Sequence, residues 1–424
     1  MLHNHLLVAT IIFVMTYTAI ISEKINRTAV ALFGAVLIVV FQVLPQEDAF
    51  KTIDFNTIGL LIGMMIVVNI LKRTGVFQYI AIKTAKIAKG DPLKIMIYFS
   101  AITALSSAFL PNVTIILLIV PVTFVITDTL KINPIPFLIT EVLAANIGGT
   151  ATLIGDPPNT MIGGATKLGF MDFLINLGPI VLVILVVTLI ILKIVYRKYL
   201  RVDDSNKQKI LDLDETKTIK DKKLLIKSLI VLGITILGFT THQIIGLESA
   251  TVALFGGVLL LLVSKVEPEE ILLEIEWTNI LFFIGLFVLV GALEEVGAIE
   301  FLAKKMIQFT NGNLFMTVMF VLWLSALASS FLDNIPFVAT MIPLIKDLAV
   351  ISTMNIQPLW WALALGACLG GNGTLIGASP NVIVGSMLNK KGYKLTFTDF
   401  MKIGFPIMIV SIIISMVYLI VFYI

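Results

Sequence analysis

The sequence predicts an all-α polytopic membrane protein made of two inverted repeats. Each repeat has five membrane-crossing helices and one re-entrant helical hairpin, with discontinuous helices at the functional site. Three observations predict this. The chain of 424 residues is 58% hydrophobic and 13% charged, with a mean hydropathy of +1.02, whereas a soluble chain carries about 25% charged residues. A polar stretch, Ala145-Asn-Ile-Gly-Gly-Thr-Ala-Thr-Leu-Ile-Gly-Asp-Pro-Pro-Asn159, interrupts the apolar background. Its adjacent prolines remove two amide donors and its glycines loosen the backbone, so no regular helix runs through it. A related stretch returns at Leu369-Gly-Gly-Asn-Gly-Thr-Leu-Ile-Gly-Ala-Ser-Pro-Asn381, where Gly377 follows Gly155 and Asn381 follows Asn159 at one and the same offset. Paired broken helices in matching halves are the pattern of a transporter whose site lies between its repeats.

In chain order, apolar runs at 6–21, 28–44 and 57–71 predict the first three spans. No basic region or small-residue cleavage signal accompanies the first run, which reads as a retained span. The segment 46–56 reads as an acidic loop. Lys83, Lys86 and Lys89 at helical spacing predict an amphipathic surface helix before Gly90-Asp91-Pro92. The hairpin is placed at 93–128, its legs of about 15 residues being short for spans and its polar centre running from Ser106 to Asn112. A kinked pair of full spans is the alternative. The broken helix occupies 136–167 and a full span 173–195.

The polar segment 196–223 carries Arg197, Lys198, Arg201, Asp203, Asp204, Lys207, Lys209, Asp212, Asp214 and Glu215. It reads as a linker, with room for a short surface helix. The second half repeats the order: spans at 224–239, 249–263 and 278–293, an amphipathic stretch at 298–309, a hairpin at 314–349, a broken helix at 359–388 and a last span at 403–422. The domains are therefore 1–200, the linker 201–223, and 224–424.

The repeat keeps its register without a gap. Val30-Ala-Leu-Phe-Gly34 matches Val252-Ala-Leu-Phe-Gly256, and Gly63, Gly75, Asn112 and Pro121 match Gly285, Gly297, Asn334 and Pro343. Five crossings per half turn the second half upside down. Charge supports this: with both termini outside the cell membrane and the linker cytoplasmic, only Lys51, Lys167, Lys304, Lys305 and Lys346 of the 30 basic residues fall outside the cytoplasmic segments.

By symmetry the hairpin tips at Asn112 and Asn334 converge on the two broken loops. An intramembrane carboxylate is costly and marks function by default, so Asp156 and Asp333 are candidates for cation binding or proton carriage; helix capping is the competing role. Their counterparts are Ala378 and Pro111. Asn112, Thr114, Asn146, Asn159, Asn334 and Asn381 are candidate contacts for substrate or ion, with loop clamping the competing role of Asn112, Asn159, Asn334 and Asn381. Thr150, Thr152, Thr374 and Asn372 offer oxygen ligands, or else satisfy opened backbone. A sodium ion would lie near Asn112, Thr152, Asn334 and Thr374. Glu141 is a further candidate for proton coupling, a place near the cytoplasmic boundary being the alternative. Ser106, Ser107, Ser329 and Ser330 either line the site or allow close packing. The pair Trp360-Trp361 reads as an interfacial anchor. The single cysteine, Cys368, excludes a disulfide framework, and the three histidines do not make a metal site.

Asn146-Ile-Gly-Gly-Thr-Ala-Thr-Leu-Ile-Gly-Asp-Pro-Pro-Asn159 and Ser330-Phe-Leu-Asp-Asn-Ile-Pro-Phe337 resemble the ion transporter superfamily. It includes the arsenite permeases, the NhaD-type sodium/proton antiporters and the melanosomal P protein, with citrate and dicarboxylate symporters as distant members. The resemblance covers nearly the whole chain. It implies that Asn112, Asn159, Asn334 and Asn381 fall at substrate- and ion-binding tips. It also implies a homodimer, and a scaffold of the first three spans of each half against which the rest moves in an elevator-like manner. The tips Leu110-Pro-Asn-Val-Thr114 and Leu332-Asp-Asn-Ile-Pro336 share only the asparagines and Thr114 with the Ser-Asn-Thr tips of the dicarboxylate carriers.

The expected activity is secondary transport of a small inorganic ion or oxyanion, as arsenite or antimonite efflux or as sodium/proton exchange, driven by a proton or sodium gradient. A sodium-coupled di- or tricarboxylate symporter and a channel subunit are the alternatives. No nucleophile–base pair or metal motif points to an enzyme. No phosphate-binding loop of the form G-x-x-x-x-G-K-[ST] is present, so ATP-driven pumping would need a separate ATPase partner. No cofactor is expected beyond sodium as coupling ion, and no nucleic-acid partner.

Overall fold

The computed structural model describes residues 2–22, 24–198, 200, 202–352 and 354–424. Arg201 of the linker lies outside the described residues, as does the side chain of His3. The described chain is helical throughout. The first half comprises α1 (Leu2–Ile21), α2 (Arg27–Val40), α3 (Gln46–Lys51), α4 (Phe55–Arg73), α5 (Val76–Ile87), α6 (Pro92–Ser107), α7 (Asn112–Leu130), α8 (Ile135–Gly149), α9 (Pro157–Ala165) and α10 (Phe170–Tyr196). The linker holds α11 (Asp204–Leu211) and a 3-10 turn, Glu215–Thr218. The second half comprises α12 (Lys222–Thr241), α13 (Ser249–Ser264), α14 (Pro268–Leu273), α15 (Trp277–Glu295), α16 (Ala298–Thr310), α17 (Leu314–Phe331), α18 (Asn334–Ile351), α19 (Gln357–Gly370), α20 (Ser379–Lys390) and α21 (Phe397–Tyr423).

Local chemistry starts these helices where the sequence provides caps. Asn26 accepts from the Thr28 and Ala29 amides at 3.0 and 3.2 Å. Asp54, Asp91, Asp221 and Asn313 do the same for α4, α6, α12 and α17. Each satisfies amide donors that the first turn leaves open.

The two halves are related by a two-fold exchange that is visible in single contacts. A Cβ on Gly63 of α4 would lie 2.3 Å from the Ala253 carbonyl carbon, and one on Gly285 of α15 would lie 2.7 Å from that of Ala31. Gly63 and Gly285 are repeat counterparts, and so are Ala31 and Ala253. One contact therefore occurs twice with the halves swapped. Helix α4 accordingly packs along α13, and α2 along α15. Without side chains at these glycines the backbones approach closely, which is how helices associate where lipid supplies no hydrophobic drive.

The hairpins pack against the broken helices. Gly148 abuts Ala104, and Gly370 abuts Ala326. The Thr152 and Thr374 hydroxyls donate to the carbonyls of Ala108 and Ser330. All four pairs share one offset in sequence, so α6 runs parallel to α8 and α17 parallel to α19. Each hairpin tip therefore ends level with the break in its partner helix. The first tip and both breaks are largely buried, the condition for non-helical backbone at membrane depth, while Leu332 and Asp333 of the second tip are half-buried and line a cavity.

Some expectations need correction. Three hairpin legs are longer than hydropathy suggests: α7 has 19 residues and α17 and α18 have 18 each. They count among nine described helices long and apolar enough to cross a membrane. The helices continue to Leu130 and Ile351, beyond the ends read from hydropathy. Leg length therefore gives no support for re-entry. The acidic loop at 46–56 begins with α3, which α14 repeats at the matching place in the second half. The Trp360–Trp361 pair is no interfacial anchor. Both rings are buried, and Trp361 packs edge-on to Phe173 with centroids 5.4 Å apart.

Candidate functional site

Four polar segments meet between α4 and α15. The cavity they enclose has a volume of about 30 Å³ and is lined by Asn112, Asp156, Asn334, Ser379 and prolines 111, 157 and 380. The scaffold side contributes Leu61 and Met65 from α4 and Glu276, Asn279 and Phe283 from the start of α15. A water needs roughly 10–15 Å³ measured in this way, so one small ion or one or two waters fit. No lysine or arginine lines this cavity among the described residues.

The asparagines form a buried frame behind it. Asn112 Nδ2 donates to Asn146 Oδ1 at 3.4 Å. Asn146 Nδ2 donates to Asn372 Oδ1 and Asn381 Oδ1, both at 3.0 Å, joining the halves. Asn159 donates to the Thr150 and Thr152 carbonyls at 3.0 and 2.9 Å. Asn381 donates to those of Gly371 and Thr374, both at 2.8 Å. These amides hold the broken loops in shape, since opened helix backbone needs donors.

The structure separates the predicted residues by role. Asn112, Asp156 and Asn334 face the small cavity. Asn146, Asn159, Asn372 and Asn381 are fully buried in the frame. Thr150 donates to the Asn146 carbonyl at 2.8 Å, and Thr152 and Thr374 tie the loops to the hairpin tips. All three hydroxyl protons therefore satisfy backbone. Thr114 is buried on the first turn of α7. Ser107, Ser329 and Ser330 donate to the carbonyls of Ala145, Ala367 and Gly370, so they serve helix packing. Glu141 is fully buried away from the cavity, accepting from Thr123 Oγ1 at 2.8 Å, while its Oε2 has no partner among the described residues.

The two aspartates differ sharply. Asp156 precedes α9, yet its side chain makes no capping bond. It is 2% exposed, and its Oδ2 has no hydrogen-bond partner among the described residues. Asp333 does cap, accepting from the Ile335 amide at 3.1 Å, and it is ion-paired with Arg27. Capping and an ion pair thus hold for Asp333, while Asp156 has neither among the described residues.

Sequence reasoning missed Arg27, Asn279 and Ser379. In the sequence Arg27 falls in a polar link between spans. Its guanidinium also donates to Asn279 Oδ1 at 3.0 Å and Ser379 Oγ at 3.2 Å, and lies 5.0 Å over the Phe282 ring. Asn279 carried a signal, being a lone amide in an apolar run; Arg27 carried none. Beyond this cluster lies a larger cavity of about 980 Å³ lined by Phe13, Tyr17, Phe309, Phe320 and Phe337, with Arg27 and Asp333 in its wall. Val113, Glu276, Asn279 and Ser379 line both cavities.

Related proteins resemble this chain over nearly its whole length. An uncharacterised transporter of Mycobacterium tuberculosis is 42% identical over 97% of both chains. A 46 kDa membrane protein of Mycobacterium leprae is 40% identical over 97% of both. The P protein of Mus musculus is 33% identical over 97% of this chain, which spans 60% of that protein's length. The crystal structure of the YdaH transporter of Alcanivorax borkumensis has the same fold, with a TM-score of 0.62 at 11% identity over 97% of both chains. A membrane chain with paired hairpins and broken helices, matched from residue 17 to residue 366 by the CitMHS citrate transporter model, is a membrane transporter and belongs to that family.

Proposed function

We propose that the chain is a secondary transporter that exchanges sodium for protons, with Asp156 holding each ion in turn. The observation that carries this is the Asp156 carboxyl group, buried and with Oδ2 unpartnered among the described residues, in a cavity sized for one small ion. A bare carboxylate in such a place is expensive, and a proton or a cation offsets the cost. The Asn112 and Asn334 side chains on the same cavity can supply neutral oxygen ligands. The family description names citrate, but a tricarboxylate needs cations, and the one at the site's edge is engaged by Asp333. Arsenite, a neutral hydroxide at neutral pH, needs only amides and hydroxyls and is the second reading, favoured by the absence of lysine and arginine from the described lining of the small cavity.

A departure from symmetry supports alternating access. Helix α9 packs on α4 and α18 on α15, whereas the exchanged pairs, α20 with α15 and α7 with α4, are packed less closely. The block of tips is therefore displaced relative to the α4–α15 pair. The same contacts with the halves exchanged describe a second state, open to the other side. In this reading the chain works as a homodimer in the cell membrane, with the termini outside and the linker cytoplasmic.

The test is flux in proteoliposomes under imposed proton and sodium gradients, with sodium, arsenite and citrate as separate arms. Sodium-driven proton movement that disappears in Asp156→Asn is the expected result. Saturable arsenite or citrate flux without sodium/proton exchange would reassign the cargo. Proton movement indifferent to sodium, with Asp156→Asn fully active, would overturn the reading.

A further inference from the structure

We propose that Arg27 is a built-in competitor of the transported cation: it occupies Asp333 in the access state seen here and releases it in the other. This rests on the exchange reading above.

Three observations carry it. Arg27 begins α2, Asp333 caps α18, Asn279 lies in α15 and Ser379 begins α20, so one guanidinium joins four separate elements. The cluster stands where the two cavities meet, since Asn279 and Ser379 line both. An ion passing from the larger cavity to Asp156 meets this wall.

The third observation is asymmetry. The repeat counterparts of Arg27, Asp333, Asn279 and Ser379 are Ser249, Pro111, Thr57 and Pro157. None of these can rebuild the ion pair. When the halves exchange environments, α18 takes the place relative to the scaffold that α7 has here, where packing on the facing scaffold helix is weaker. Asp333 then leaves Arg27 and Asn279 behind, and its counterpart Pro111 brings no charge in return. A carboxylate only 14% exposed, parted from its arginine, needs another cation. The transported ion, on its way to or from Asp156, supplies it. Arginine and cargo are thus mutually exclusive partners, and the empty carrier rests with Asp333 neutralised from within.

The test uses spin labels on the exposed positions Phe33 of α2 and Leu327 of α17, introduced as Phe33→Cys and Leu327→Cys. Distance distributions are read by double electron–electron resonance, and sodium flux is measured in parallel. Without sodium the parent should populate one main distance, and sodium should shift it. Arg27→Gln should shift it without sodium and lower the KM for sodium about tenfold. Arg27→Lys should reverse much of that shift, because it keeps the charge but not the forked geometry. Asp333→Asn should also shift the distribution and then fail to respond to sodium. An Arg27→Gln protein with the parent's distribution and KM would overturn the proposal. Absence of sodium/proton exchange in the parent would sink the exchange reading instead, and the Arg27→Gln distance distribution would still decide the latch.

Discussion

Asn146 Nδ2 donates to Asn381 Oδ1 at 3.0 Å, and the repeat counterparts of this pair make the equivalent contact from the other half: the Cys368 thiol lies 3.5 Å from Asn159 Oδ1. One is a bond between amides that also serves Asn372. The other relies on a weak thiol donor. The halves are thus held together unequally behind the site. Asn146→Ala leaves the Asn372 and Asn381 oxygens unpaired and should cost about 1–3 kcal/mol. Cys368→Ala should cost less. Thermal unfolding of both variants in detergent checks the order; equal losses would show that the amide bond is not the stronger tie.

The paired crossings at Gly63 and Gly285 make a second prediction. A Cβ on Gly63 meets backbone at 2.3 Å and one on Gly285 at 2.7 Å. Backbone cannot turn aside as a flexible side chain can, so both alanine variants should lose about 1–3 kcal/mol, Gly63→Ala the more. Gly233 in α12 has nothing within 4 Å of its would-be Cβ. Gly233→Ala should therefore lose nothing and serves as the comparison, with a gain of up to ~1 kcal/mol from helix propensity. Denaturant titration of the three variants gives the ranking.

The linker makes a third prediction, because it is docked as a strap. Ile210 is fully buried in a cluster with Ala81, Ala85 and Leu130. Asn206 donates to the Leu130 carbonyl at 3.4 Å, and the Lys220 amide donates to that of Thr74 at 3.0 Å. A Cβ on Gly75, at φ +81°, would stand 1.8 Å from the Thr218 carbonyl oxygen, while its counterpart Gly297, at φ +76°, has open space. Both alanine variants incur left-handed strain of about 1 kcal/mol. Only Gly75→Ala should also free the strap, detected as faster limited proteolysis between residues 202 and 220.

Acid should free the same strap. Lys86 Nζ donates to Glu215 Oε2 at 2.7 Å and to the Leu213 carbonyl at 2.9 Å. The hydrogen bond from Lys86 holds the Glu215 carboxyl below its ordinary value. A carboxyl lowered by its partner contributes docking stability above the ordinary glutamate range, about 4.3, and loses it as pH falls through the lowered value. Cleavage of the strap should therefore rise on acidification below about pH 4 in the parent. With Lys86→Met it should be faster at neutral pH and respond less to acid. Equal responses in the two proteins would remove the pair from the account.

The sequence determined the membrane class, the two repeats and the broken helices by itself. These follow from composition and from a register that any pair such as Asn159 and Asn381 states openly. It also placed Asn112, Asp156 and Asn334 in one neighbourhood, because two tips and two loops in symmetric halves must converge. Asp156 against Ala378 was visible as an asymmetry, and the structure leaves its Oδ2 without a hydrogen-bond partner among the described residues. Asp333 looked equivalent in kind, and only the tertiary structure gave it to Arg27, far away in the chain. The physical reason is that local pattern records which residues share a helix face or a cap, whereas partnership between α2 and the tip of α18 depends on where one packed block stands against another. That position is set by the sum of many contacts, and by which of two exchanged packings the chain adopts, and no short stretch of sequence carries it.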